Sequence, residues 1–146
     1  MNEESHFRRL ENMYRSAPCN AYYAPQIRIS RGVAEIVIPI RRQFFHAGGA
    51  AHGSVYFKAL DDAAYFAVNS LVKEALVLTV SYQVQLLRPI SEGEMCAYGK
   101  AIYSSRELFF AEALLYDGKD REIARGSGMF ARSKIKLCPE IGYRDE

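Results

Sequence analysis

Residues 46–70 read HAGGAAHGSVYFKALDDAAYFAVNS, and this stretch decides how the rest of the chain is organised. Two histidines and three glycines form a polar loop, after which the sequence becomes apolar with few breaks. Val55, Ala59, Leu60, Ala63, Ala64, Ala67, Val68 and Leu71 recur at helical spacing and cover most of a helix circumference, so a helix over 53–72 must be enclosed. Yet Asp61 and Asp62 stand side by side in its middle, where desolvation opposes a charged carboxylate.

Working outward, Phe7, Leu10, Met13 and Tyr14 give an amphipathic N-terminal helix within residues 1–17, with Asn2 as N-cap, Glu3 and Glu4 in its first turn and Pro18 as its stop. Strand-like runs at 26–30 and 33–38 follow, separated by Arg31-Gly32 and closed by Pro39. Beyond Ser70 the period changes to two. Leu76, Leu78, Val80, Tyr82, Val84 and Leu86 alternate with Val77, Thr79, Ser81, Gln83 and Gln85, the pattern of a long half-buried strand ended by Pro89 and the turn SEGE. Runs at 94–105, 108–116 and 122–133 complete a series of consecutive strands.

Helix, two strands, central helix and then four strands argue for one α+β domain over residues 1–146 with an antiparallel sheet. The helix alanines and the small residues Ala97, Gly99, Ala101, Ala111, Ala113, Gly126 and Gly128 suit a close approach of one curved sheet wrapped around one helix.

Nineteen basic against 17 acidic side chains leave a net charge of +2, without the basic surplus of a nucleic-acid-binding protein. Cys19, Cys96 and Cys138 are odd in number and widely spaced, which implies neither a disulfide framework nor a zinc site. No window approaches the ~20 apolar residues of a membrane span, and the charged N-terminal segment lacks the apolar core of a secretory signal. The expectation is a soluble cytoplasmic protein with reduced thiols.

The opening stretch resembles the hotdog-fold acyl-CoA thioesterases of the phenylacetate-pathway (PaaI-like) type. That family shows Asn-x-x-Gly-x-x-His-Gly-Gly followed by a helix whose acidic residue lies nine positions after the histidine. Here His46 occupies the Asn position, Gly49 the middle glycine and His52-Gly53 the HG pair, and Asp61 is nine residues after His52. Asn69-Ser70 and the strand VLTVSYQVQLLRPISEGE also fit, with Thr79 where a hydroxyl residue often sits. The chain departs from the pattern at His46, in place of Asn, and at Ser54, in place of the second glycine.

The resemblance implies a hotdog fold, hydrolysis of an acyl- or aryl-CoA thioester, and a site shared between subunits of a dimer or dimer of dimers, with no metal and no redox cofactor. Thioester hydrolysis needs a base or nucleophile and donors for the developing oxyanion. Asp61 fits the first role in either form, with Thr79 as hydroxyl partner. Gly53 opens the central helix, where free N–H groups and the positive dipole end favour a negative oxygen. His46 stands in for the Asn amide as a second donor. His52 fits a structural role better than that of a proton donor. Asp62 is expected on the surface or at an interface, paired i to i+4 with Lys58.

Arg88, Arg106, Arg132 and Lys134 fall at strand ends and are candidates for the phosphates of coenzyme A. Two other readings stay open at this point. One is a non-catalytic acyl-CoA-binding module, which would not need Asp61. The other is a hotdog dehydratase, whose Asp-x-Asn-x-x-His loop is missing here.

Overall fold

The computed structural model describes residues 2–146. In chain order the elements are α1 (Glu3–Ser16), α2 (Asn20–Tyr23), β1 (Gln26–Ser30), β2 (Val33–Pro39), α3 (Gly53–Asn69), β3 (Ala75–Leu86), β4 (Glu94–Ser104), β5 (Leu108–Tyr116) and β6 (Glu122–Lys136). Single 3-10 turns occupy Arg42–Phe44 and Pro139–Ile141. The six strands form one antiparallel sheet in the order β1-β2-β4-β5-β6-β3, and α3 touches all six of them. This is the hotdog arrangement, a helix wrapped by a curved sheet.

Seven of the eight apolar positions expected to line the helix are buried; the exception is Leu71. The helix stops at Asn69 rather than at residue 72 because the Asn69 side chain draws the chain away from helical geometry. Its amide donates to the carbonyls of Val72 (3.1 Å) and Ala75 (3.0 Å), and its Oδ1 accepts from the Val77 N–H (3.0 Å). The buried amide is thereby satisfied and the start of β3 is tied to the end of α3.

Small residues set the spacing between helix and sheet, though not all in the manner expected. At Gly99 on β4 the backbones of the two layers meet: a Cβ there would lie 2.2 Å from the Ala63 carbonyl oxygen. Gly126 and Gly128 on β6 serve a different purpose, because the Tyr82 ring from β3 lies over them. The Tyr82 hydroxyl then donates to the Leu60 carbonyl at 3.2 Å.

The two edges of the sheet are treated differently. Along β1, Glu11 of α1 accepts the Ile29 N–H at 2.8 Å and Arg8 donates to the Ile29 carbonyl at 2.8 Å, so α1 satisfies an edge that would otherwise seek a partner. Among the described residues no strand lies beside the outer edge of β3, and Leu78, Val80 and Leu86 are exposed on that strand.

The chain ends meet beneath α3. Buried His6 donates from Nε2 to the Asn69 carbonyl (2.9 Å), which fixes Nδ1 as the acceptor of the Tyr143 hydroxyl (2.7 Å). Burial pushes the imidazole pKa down and keeps it neutral.

The Gly99 contact gives a direct test of the packing. Gly99→Ala is expected to lower unfolding free energy by about 1–3 kcal/mol or more, since neither backbone can yield easily. Gly118→Ala, at a position with nothing within 4 Å, serves as the control and should stay within about 0.5 kcal/mol in the same urea titration.

Candidate functional site

The loop before α3 closes as a tight turn. The His46 N–H donates to the Ala50 carbonyl (3.0 Å) and the Gly49 N–H to the His46 carbonyl (3.1 Å), with Gly49 at φ +84. A left-handed φ of that size suits glycine. The His46 ring folds back over Gly48, whose N–H donates to Nδ1 at 2.9 Å. Nδ1 is therefore an acceptor, and the neutral ring carries its proton on Nε2 as an exposed N–H donor.

His52 is the N-cap of α3, with Nδ1 accepting the Ser54 N–H at 3.0 Å. Ser54, which stands where the family has its second glycine, also places its hydroxyl 2.9 Å from the same nitrogen. Gly53 follows as the first helical residue, its N–H free of any intrahelical acceptor. His46, His52 and Gly53 line a cleft of about 420 Å³ together with Tyr56 and the segment Leu86–Pro89. The Tyr56 hydroxyl donates to the Arg88 carbonyl at 2.7 Å, which fixes Arg88 on the rim of this cleft.

Asp61 opens onto a different and larger cavity of about 800 Å³, between α3, the start of β3, α1 and the C-terminal turn. Thr79 Oγ1 donates to Asp61 Oδ1 at 2.9 Å, joining the two residues that the sequence singled out. Burial, and then the negative charge of Asp62, push the Asp61 carboxyl up to about 6, against the smaller opposing effects of Thr79 and Lys58. Apolar side chains, among them Phe66, Leu76 and Leu78, line much of the same cavity.

Asp62 departs from expectation. It is neither solvated nor free for an interface, because α1 of the same chain covers it and leaves its side chain 16% exposed. The expected ion pair with Lys58 is present at 2.7 Å, but Asp62 also accepts the Tyr14 hydroxyl at 2.6 Å. The Lys58 ammonium sits 5.2 Å from the Tyr14 ring centroid and 5.1 Å from that of Tyr23, so aromatic faces enclose the cation. Neither tyrosine carries a local signal for this role. Tyr14 is 48 residues from Asp62 in sequence, and only the fold brings the two together.

Within the chain the candidate groups lie in separate places. Gly53 and Asp61 lie eight positions apart on α3, about 12 Å along the axis, and they line separate clefts. Nor do the four basic residues gather. Arg88 lies beyond the Leu86 end of β3, whereas Arg132 pairs with Val77 at the other end, about 27 Å away along β6 from Ala124, the partner of Leu86. Arg132 is engaged by Glu74 and by the Arg106 carbonyl, while Arg106 and Lys134 are exposed.

A model of the Thioesterase superfamily matches residues 48–124, just over half the chain. The fold superposes on the Escherichia coli PaaI protein from the phenylacetic acid degradation operon with a TM-score of 0.83 at 17% identity, covering 92% of this chain and 97% of that one. A thioesterase family protein from Silicibacter pomeroyi gives 0.82 at 25% identity, covering 90% and 98% of the two chains. A provisionally assigned esterase of Sulfurisphaera tokodaii is 27% identical over 104 residues, 70% of this chain and 77% of the relative. With the HG loop, the aspartate nine residues on and the wrapped helix in place, the chain belongs to the Thioesterase superfamily, as a thioester hydrolase of the hotdog fold.

Proposed function

We propose that this hydrolase cleaves acyl- or aryl-CoA thioesters, with Asp61 as the working carboxylate and the active site completed across a two-fold dimer. The observation that carries the reading is Asp61 itself. It is a helix carboxylate oriented by one hydroxyl, opening on an apolar cavity large enough for an acyl group, with its acidity weakened toward neutrality. A carboxylate of that basicity either attacks the thioester carbonyl or takes a proton from the attacking water. In both cases the carbonyl oxygen gains negative charge, the C–S bond breaks, and the coenzyme A thiolate leaves and is protonated.

The Gly53 N–H at the start of α3 and the Nε2–H of His46 are the donors assigned to that oxygen. They lie too far from Asp61 in their own protomer, so the reading takes them from a second copy, paired along the open edge of β3. Arg88, beside Gly53 at the rim of the HG cleft, is placed to meet the phosphates of coenzyme A. Arg106, Arg132 and Lys134 enter only if the second copy or a further pair brings them near. The three free thiols suit a reducing compartment, so a cytoplasmic location is part of the proposal. The chemistry drawn here uses water and the chain's own groups, without a metal or redox cofactor.

Release of free thiol from a panel of aryl-, short- and long-chain acyl-CoAs tests the activity. Asp61→Asn should lower turnover by about 10²–10⁴, while Asp62→Asn should stay within about tenfold of the parent. Because the ionised form does the work, activity of the parent should fall as pH drops through about 6. No thiol release across the whole panel would leave a binding module, and parental rates in Asp61→Asn would remove Asp61 from the chemistry.

The assembly has its own check. Light scattering at micromolar concentration is expected to report a dimer or a multiple of one. A monomer that remained active would overturn the shared site.

A further inference from the structure

We infer that Ile141, carried by the C-terminal turn, is a specificity-determining residue that walls the cavity onto which Asp61 opens and selects acyl groups by size. The inference rests on the thioester reading proposed above and deepens it. It also assigns a part to the two segments that flank the matched family region.

The cavity has walls of two origins. Asp61, Leu76, Leu78 and Thr79 come from α3 and β3, inside the matched residues 48–124. The rest of the lining comes from α1 and the segment after it, and from the C-terminal turn, all outside that range apart from further residues of α3. On the turn, Glu140 and Arg144 are charged and exposed, and Gly142 has no side chain. Ile141 is thus the apolar side chain that the turn offers to the cavity, and it is left 37% exposed there. An acyl group filling the cavity would cover it.

The turn is tied on both sides of Ile141. Before it, the Leu137 N–H donates to the Glu74 carbonyl at 3.2 Å. After it, the Tyr143 hydroxyl donates to buried His6 at 2.7 Å, and the Asn12 amide donates to the Arg144 carbonyl at 2.9 Å. Between these anchors Gly142, at φ +93, passes close over the end of α1. A Cβ there would lie 2.5 Å from Ser16 Oγ and 3.2 Å from Met13 Cα. A wall held in this way defines the size of what it encloses, whereas a loose one would yield. Met13 and Phe66 line the same cavity but belong to the core, so changing them alters the fold as well as the space. Changing Ile141 alters the space alone.

The class of substrate follows from the lining. A carboxylate on the acyl group would meet Asp61 and an apolar wall, and both oppose it. The acyl or aryl group is therefore uncharged, and large enough to reach Ile141 when its carbonyl is at Asp61. In an apolar pocket the fit of a single methylene changes kcat/KM by about 10–200-fold, so one wall residue is enough to shift the preference.

The test compares butyryl-CoA with decanoyl-CoA in the full chain, for the parent, Ile141→Ala, Ile141→Trp and the control Ile102→Ala. Ile102 is exposed on β4, outside this cavity. Circular dichroism and gel filtration check each protein first. The ratio of kcat/KM, decanoyl over butyryl, should rise about tenfold in Ile141→Ala and fall about tenfold in Ile141→Trp. Ile102→Ala should keep the parental ratio. A general loosening would lower both rates together and would not move the ratio in opposite directions.

The same proteins are titrated by calorimetry with S-butyl- and S-decyl-CoA, thioethers that have no carbonyl to attack. The preference for decyl over butyl should move in the same directions as the kcat/KM ratio. If no thioester is cleaved while the thioether preference still shifts, the wall stands and the acyl-CoA hydrolysis proposed above falls. Should Ile141→Trp fail to fold, the rise in Ile141→Ala decides the matter. Ratios unmoved in the folded variants, or moved the same way by both, overturn the inference whether or not thioesters are cleaved. A parent that binds neither thioether overturns it as well.

Discussion

The structure depends on one contact, the Ala63 carbonyl of α3 against the bare backbone of Gly99 on β4. Helix and sheet usually meet through side chains, which can adjust. Here backbone meets backbone, so the helix can neither roll nor slide without opening the core. Ala59, Ala63, Ala64 and Ala67 are all buried, and the sheet closes on them from every strand. Fixing the roll of α3 also fixes where each side chain on it points. A rotation by one residue's angle would bring Asp62 to the direction Asp61 now takes, so which carboxylate meets Thr79 follows from the packing on the opposite side of the helix.

Carrying two carboxylates on such a helix is unfavourable, because burial resists their charge. The fold meets the difficulty twice, in different ways. Asp62 is paired, hydrogen-bonded and covered by α1, so its charge is compensated. Asp61 receives a single hydroxyl and an outlet to the cavity, so its charge is left partly unsatisfied. Burial weakens the acidity of both carboxyls, so the company each keeps, and not a difference in direction of shift, separates them. The partner sets, more than the residue type, distinguish the two aspartates.

Much of this was legible in the sequence because it is local. Hydrophobic period located both long helices and all six strands to within a few residues, and the HG-to-Asp spacing singled out the loop and Asp61. Two kinds of feature escaped. The first is any boundary set by a side chain acting at a distance. Asn69 ends α3 early by bonding to Val72, Ala75 and Val77, and β6 continues to Lys136 because Ala75 lies opposite to pair with it. The second is cover supplied by remote segments. Lys58, Asp62 and Tyr65 form a polar stripe that reads as a solvated face, and only the docking of α1 and of the C-terminal turn makes it the wall of a cavity. The role of Gly126 and Gly128 was misread for the same reason, since the ring that fills their space comes from Tyr82 on a strand formed much earlier in the chain.

The unequal treatment of the sheet edges follows from the same placement of the N-terminal segment. One helix can cover one edge, and α1 is committed to β1 by Glu11 and Arg8, whose buried and half-exposed charges satisfy both outward groups of Ile29. That commitment also places Tyr14 over Asp62, so protection of the edge and compensation of the carboxylate are done by one element. Among the described residues nothing comparable lies along the outer edge of β3. An edge strand left without lysine, proline or a covering helix, and carrying Leu78 and Val80 into solvent, has the irregularity between Thr79 and Ser81 as its main protection against pairing. Thr79 lies on that same strand between the two, so whatever pairs with β3 comes directly beside the hydroxyl that orients Asp61. An edge protected like β1 would have closed this end of the fold and kept a second chain away from the carboxylate. Left open, the edge leaves the strand that carries Thr79 accessible beside Asp61.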